Sequence, residues 1–143
     1  MGEAARDIYQ AHLDAKSRAM LARDFDTICA MMAYPSLLKT VDAEIVLNRP
    51  EDYVPSLEGY CDNLDALGTR EFHRICRRAE FTSPAQDEIV GEHATYILSG
   101  AGPLLPPYTS KMVLVLENGR WLARDIRVGV MNSKGSVIRK ARA

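Results

Sequence analysis

Residues 111–130, KMVLVLENGRWLARDIRVGV, decide the fold. Met112 to Leu116 is a continuous apolar run, as in a strand covered on both faces. Asn118-Gly119 follows, a pair that tolerates positive φ at both positions and marks a two-residue hairpin. Arg120 to Val130 then reads as the returning strand, so this stretch predicts an antiparallel β-ribbon with a buried side.

Working backwards, the same pattern predicts strands at Tyr108 to Glu117, Ile89 to Ser99 and Arg70 to Phe81. Gly100 to Pro107 carries Gly102, Pro103, Pro106 and Pro107 around Leu104-Leu105, and is expected as an exposed loop bearing two leucines. The period changes before Gly68. Tyr53, Val54, Leu57, Tyr60, Cys61, Leu64 and Leu67 recur at helical spacing, and Gly68 suits a left-handed exit. Asn48 offers an N-cap, with Glu51 three residues on and Pro50 in the first turn.

Upstream, Ser36 to Val41 and Glu44 to Leu47 read as a small hairpin around Asp42-Ala43. Glu3 to about Arg23 forms a helix with an apolar stripe of Ile8, Tyr9, His12, Leu13, Met20 and Leu21. A second short helix, capped by Asp24 or Asp26, carries Phe25, Ile28, Cys29 and Met32, and must end before Tyr34-Pro35. Residues 132–143 hold Lys134, Arg139, Lys140 and Arg142 with few apolar anchors, and are expected as a mobile basic tail after a single domain spanning residues 1–131.

Composition agrees with one globular α+β unit. The chain has 143 residues, 47% hydrophobic and 26% charged, long enough for one core without staples. Eighteen basic against nineteen acidic side chains leave a formal net charge of -1, which argues against nucleic acid as a partner. Cys29, Cys61 and Cys76 are odd in number and widely spaced, as expected of reduced thiols in a cytoplasmic protein. No signal segment or membrane helix is read from the chain.

Three helices, an intervening small hairpin and four antiparallel strands give the order of the nuclear transport factor two-like superfamily. The Ala33-Tyr34-Pro35 step and the "strand, Asn-Gly, Arg-Trp, strand" ending carry the likeness, over about residues 4 to 131. The chain resembles the small bacterial SnoaL-like members. That resemblance implies a cone-shaped, barrel-like α+β fold: three N-terminal helices on a strongly curved antiparallel sheet, with an apolar cavity at the wide end. It also implies a homodimer formed through the sheet.

The fold hosts several chemistries, so the reaction must be argued from residues. Proton abstraction beside a carbonyl needs a carboxylate or histidine base and a hydroxyl donor. His73, in alternation with Ile75, and Asp125, two before Arg127, are the candidate bases; Tyr96 is the candidate donor. Tyr34, Tyr60, His73, Tyr96 and Tyr108 are the candidate ligand-binding residues, each joining apolar area to a polar tip. Each of these also has a plain structural reading, as a packed tyrosine, a half-buried strand histidine or an edge ion pair. His93, beside Glu92, is expected on a solvated face. Met20, Met31 and Met32 could shape a pliable wall. No Ser-His-Asp order, phosphate loop or H-x-x-x-H metal pair appears, so neither metal nor cofactor is expected.

The sequence points to a binder of a small apolar or carbonyl-containing ligand. Its alternatives are a cyclase, isomerase or dehydratase, and an interaction module with a vestigial pocket.

Overall fold

The computed structural model describes residues 2–140. Helix α1 spans Gly2–Leu21 and α2 Phe25–Ala30; strands β1 and β2 span Ser36–Lys39 and Glu44–Leu47. Helix α3, Pro50–Leu67, leads into β3, Glu71–Phe81, and β4, Glu88–Ser99. A two-residue strand β5, Gly102–Pro103, precedes β6, Tyr108–Glu117, and β7, Arg120–Val128; a short helix α4, Asn132–Gly135, comes last.

Local chemistry explains these limits. Asp24 caps α2, its carboxylate accepting from the Thr27 N–H at 3.3 Å. The α3 start falls one residue later than expected: Arg49 is the N-cap, and Asp52 reaches back to accept from the Asn48 N–H at 3.0 Å. Gly68 closes α3 in the left-handed region at φ 77°. Asn118 and Gly119 take φ 52° and 77°, which turns β6 into β7 as the sequence predicts.

The sheet order is β2-β1-β7-β6-β4-β3, with β5 added beside β4. The four long strands pair antiparallel, but β1 lies parallel to β7, so the sheet is mixed rather than wholly antiparallel. It is curved and unclosed. Register shifts at Cys76/Arg78 in β3 and opposite Lys111/Val113 in β6 mark two bulges, which bend strands locally.

Helix α1 packs across β3 and β4. Its Gln10 amide clamps the free edge of β3, donating to the Arg74 carbonyl at 2.8 Å and accepting from the Cys76 N–H at 2.7 Å. Unpaired edge groups are thereby satisfied by a side chain. Tyr9, Leu13, Ile28, Leu38, Leu57, Ile89 and Leu114 form the centre of the core. The three thiols are free and buried, and burial raises each above its ordinary value.

Two segments make contacts that the sequence reading did not include. The segment from Asn132 packs against the domain as far as Arg139: Val137 is buried, and Ser56 Oγ both donates to the Arg139 carbonyl and accepts from its N–H. Asn132 holds Ile138 through two more hydrogen bonds. Polar side chains on α3 and α4 supply anchors that a count of apolar residues omits. Residues 141–143 of the expected tail lie outside the described residues. The Leu104-Leu105 loop is likewise half-buried rather than exposed, because Gly102–Pro103 pairs with β4 and the Leu104 N–H donates to the Ile97 carbonyl at 2.9 Å.

Candidate functional site

Between α1, α3 and the concave side of the sheet lies a cavity of about 40 Å³. That is room for roughly three waters, at ~10–15 Å³ each. Leu13, Met20, Leu57, Met112, Ile126 and Val137 form its apolar wall. Its polar lining is Lys16, Ser56, Tyr53, Tyr60, Arg74, His93, Thr95, Tyr108 and Ser110, and no carboxylate belongs to it among the described residues. Larger hollows exist on the outside, including one of about 530 Å³ over the convex face of the sheet. That groove is lined by ion-paired charges such as Arg78–Glu92 and Lys111–Glu92, so the smaller cavity, with its apolar wall, is the better candidate site.

Tyr60 and Tyr108, both expected at the site, meet inside it with hydroxyls 2.8 Å apart. Burial, then Tyr60 itself, pushes the Tyr108 phenol far up, so Tyr108 stays protonated. One phenol donates to the other, and one O–H remains for a ligand oxygen.

The other expected residues fall elsewhere. Phe72, Arg74 and Cys76 take the inward alternation of β3, so His73 and Ile75 face outward. The His73 side chain is 53% exposed and stands near Glu71, not in the cavity. Tyr96, its cross-strand partner, shares that outer face and accepts from Arg77 at 2.8 Å. Tyr34 donates to the Cys29 carbonyl at 3.0 Å, locking the end of α2, and borders an outer groove.

Asp125 is a structural staple. It sits in the β7 bulge at φ 56°, and the bulge throws it outward beside Arg124. Its carboxylate accepts from the Leu37 N–H at 3.1 Å, while its own N–H donates to Ser36 Oγ at 3.0 Å. These two bonds tie β1 to β7. The carboxylate is therefore committed to backbone, away from the cavity.

Three lining residues escaped sequence reasoning. Lys16 is 3% exposed. It lies four residues after His12, three after Leu13 and four before Met20, within the apolar stripe of α1; that spacing was the available signal. Burial first, then the Arg74 charge, holds its amine at about 7. Its ammonium stands over the Tyr53 ring, 5.5 Å from the centroid. Arg74 shares the alternation of Phe72 and Cys76, and its Nε is buried without a partner.

His93 shares the face of Ile89, Thr95 and Ile97, which is the concave one; it is buried rather than solvated. Its Nδ1 lies 2.7 Å from the Tyr9 hydroxyl. Burial, then Arg74 and Lys16, lowers its pKa to about 3. Glu92, which made the segment read as wet, points to the opposite face.

No protein-family model matches the chain, and no curated protein does. Solved structures do match. A nuclear transport factor two-like protein of unknown function from Shewanella oneidensis superposes with a TM-score of 0.64 at 13% identity, over 86% of this chain and 97% of that one. A protein of the same fold class from Novosphingobium aromaticivorans gives 0.64 at 10% identity, over 94% and 86%. Aln2 from a Streptomyces species gives 0.62 at 12%, over 86% and 88%. The chain has the nuclear transport factor two-like cone fold, as the strand and helix order implies. At such identities the likeness carries architecture and leaves the chemistry to the residues.

Proposed function

We propose that the protein is a SnoaL-like binder of a small carbonyl-containing ligand, held in the cone cavity. The observation that supports this is the Tyr60–Tyr108 hydroxyl pair, buried at 2.8 Å and facing an otherwise largely apolar wall. Apolar area supplies affinity there, and the unused phenolic hydrogen orients the carbonyl oxygen. The cavity volume confines the ligand to a few heavy atoms unless Val137 and its segment move aside.

Titration of small ketones and amides into the chain, with its methionine methyls isotopically labelled for NMR, tests the reading. The Met20 and Met112 methyls line the cavity and are expected to shift, while exposed Met131 stays still. Failure of both cavity methyls to respond to every compound would sink it.

A second reading, acid/base turnover, gains support from one observation: a buried amine, Lys16, held at about 7 in the same cavity as a phenol pair. His73 and Asp125 have no part in it. The reading also takes the chain as a cytoplasmic homodimer joined through the outer sheet face, where Ile75 and Val90 are 46% and 44% exposed. Light scattering at micromolar concentration, with a monomer mass, would remove the dimer.

A further inference from the structure

The cavity has an unusual charge balance. Two basic side chains, Lys16 and Arg74, reach it from α1 and β3, and no ion pair to either is found among the described residues. Arg74 Nε is buried without a partner. Arg74 is otherwise half-buried, its guanidinium 4.8 Å from the Phe72 ring centroid, whereas Lys16 is buried outright, and a buried cation with no counter-charge costs several kcal/mol unless an anion matches it or it gives up its proton. Elsewhere this chain does match its charges: Arg23 with Asp62 and Asp65, and Arg78 and Lys111 with Glu92.

We infer that the cavity is a carboxylate site, in which a small aliphatic monocarboxylate sets its charged head against Lys16 and Arg74 and its tail against Met20 and Met112. This rests on the cavity-binding reading and names its ligand class. The Lys16 ammonium and the Arg74 guanidinium supply the charge, and the hydroxyls of Thr95 and Ser110 lie on the same lining. A neutral carbonyl would satisfy the phenol pair but leave both cations unmatched.

The charge of Lys16 makes the site pH-dependent. The groups around it are Arg74 from β3, His93 from β4, Tyr53 from α3, Cys29 from α2, and His12 on its own helix. His12 and His93 are held at about 4 and about 3, and burial raises Cys29 and Tyr53, so between pH 6 and 8 Lys16 alone among these changes charge. A bound anion favours its protonated form, and binding therefore tightens as pH falls through about 7.

Sodium propionate and propionamide, titrated into the full chain at constant ionic strength and read at the Met20 and Met112 methyls, test this. Propionate is expected to bind at least about tenfold tighter than propionamide at pH 6, as one or two charge-assisted hydrogen bonds imply, with the ratio falling at pH 8.5. Lys16→Met is expected to abolish that pH dependence. Should that variant not fold, the Lys16 side-chain resonance of the wild-type chain gives the same information, since saturating propionate is expected to raise its titration midpoint. Equal affinity for the two compounds, or an unmoved Lys16 midpoint, overturns the carboxylate site while leaving a cavity binder. Silence at both methyls with either compound overturns the two together.

Discussion

The Tyr9 hydroxyl lies 2.7 Å from Nδ1 of His93, an α1 residue joined to a β4 residue 84 positions away, both buried. Burial raises the phenol far above its ordinary value, so Tyr9 donates and Nδ1 accepts, which leaves the ring proton on Nε2. Tyr9→Phe removes the donor and leaves a buried acceptor unmatched, at a cost of about 1–3 kcal/mol. Urea denaturation at pH 7 should show that loss.

The same histidine predicts acid sensitivity. His93 and His12 fold with values of about 3 and about 4, below the 6.5 of an unburied histidine. Between those limits the unfolded chain binds more protons than the folded one, so stability rises with pH across that window and is lost as pH falls from about 6.5. A His12→Gln, His93→Gln double variant should flatten this slope in denaturation curves recorded from pH 4 to 7.

Gly91 packs beneath the ring of Tyr9: a Cβ there would fall 2.3 Å from Cε2. Ring and strand backbone are both fixed, so Gly91→Ala should destabilise by about 1–3 kcal/mol through overpacking. Combined with Tyr9→Leu, the two losses should sum to less than their separate values, which a double-mutant cycle would reveal.

Asp125 separates a staple from a catalyst. Asparagine keeps an acceptor for the Leu37 N–H and tolerates positive φ, so Asp125→Asn should leave ligand-induced methyl shifts intact and stability within about 0.5 kcal/mol. Asp125→Ala loses the acceptor and strains the left-handed residue, costing about 1–2 kcal/mol from the backbone alone. Loss of binding or turnover in the asparagine variant, with folding unchanged, would return Asp125 to the site.

Ser56 secures the segment after α4. Ser56→Ala removes both bonds to Arg139, and amide exchange at Ile138 and Arg139 should quicken while the β4 and β6 amides keep their protection. Ligand exchange should also quicken, because Val137 walls the cavity.

How far the sequence reaches is clearest along β3 and β4. Both strands are legible to within a residue, since alternation and turn residues act between near neighbours. Which alternate set faces the helices is not. His73 reads as inward from its alternation with Ile75, yet Phe72 and Cys76 are the buried set and bring half-buried Arg74 to the inner face. For His93 the strand pattern gives the correct neighbours but the wrong environment.

By itself the sequence determined the order of the first three helices and the six longer strands, the Asn118-Gly119 turn, the exit at Gly68 and a cap at Asp24 or Asp26, because capping, turn geometry and hydrophobic period are settled within a few residues of chain. Tertiary structure decided that Lys16 and Arg74 meet in one cavity, that Asp125 leaves the sheet's inner face through a bulge, and that Ser56 secures Arg139. Those outcomes depend on how separate elements share space. Burial and charge act through that space between residues remote in the chain, and local pattern does not record them.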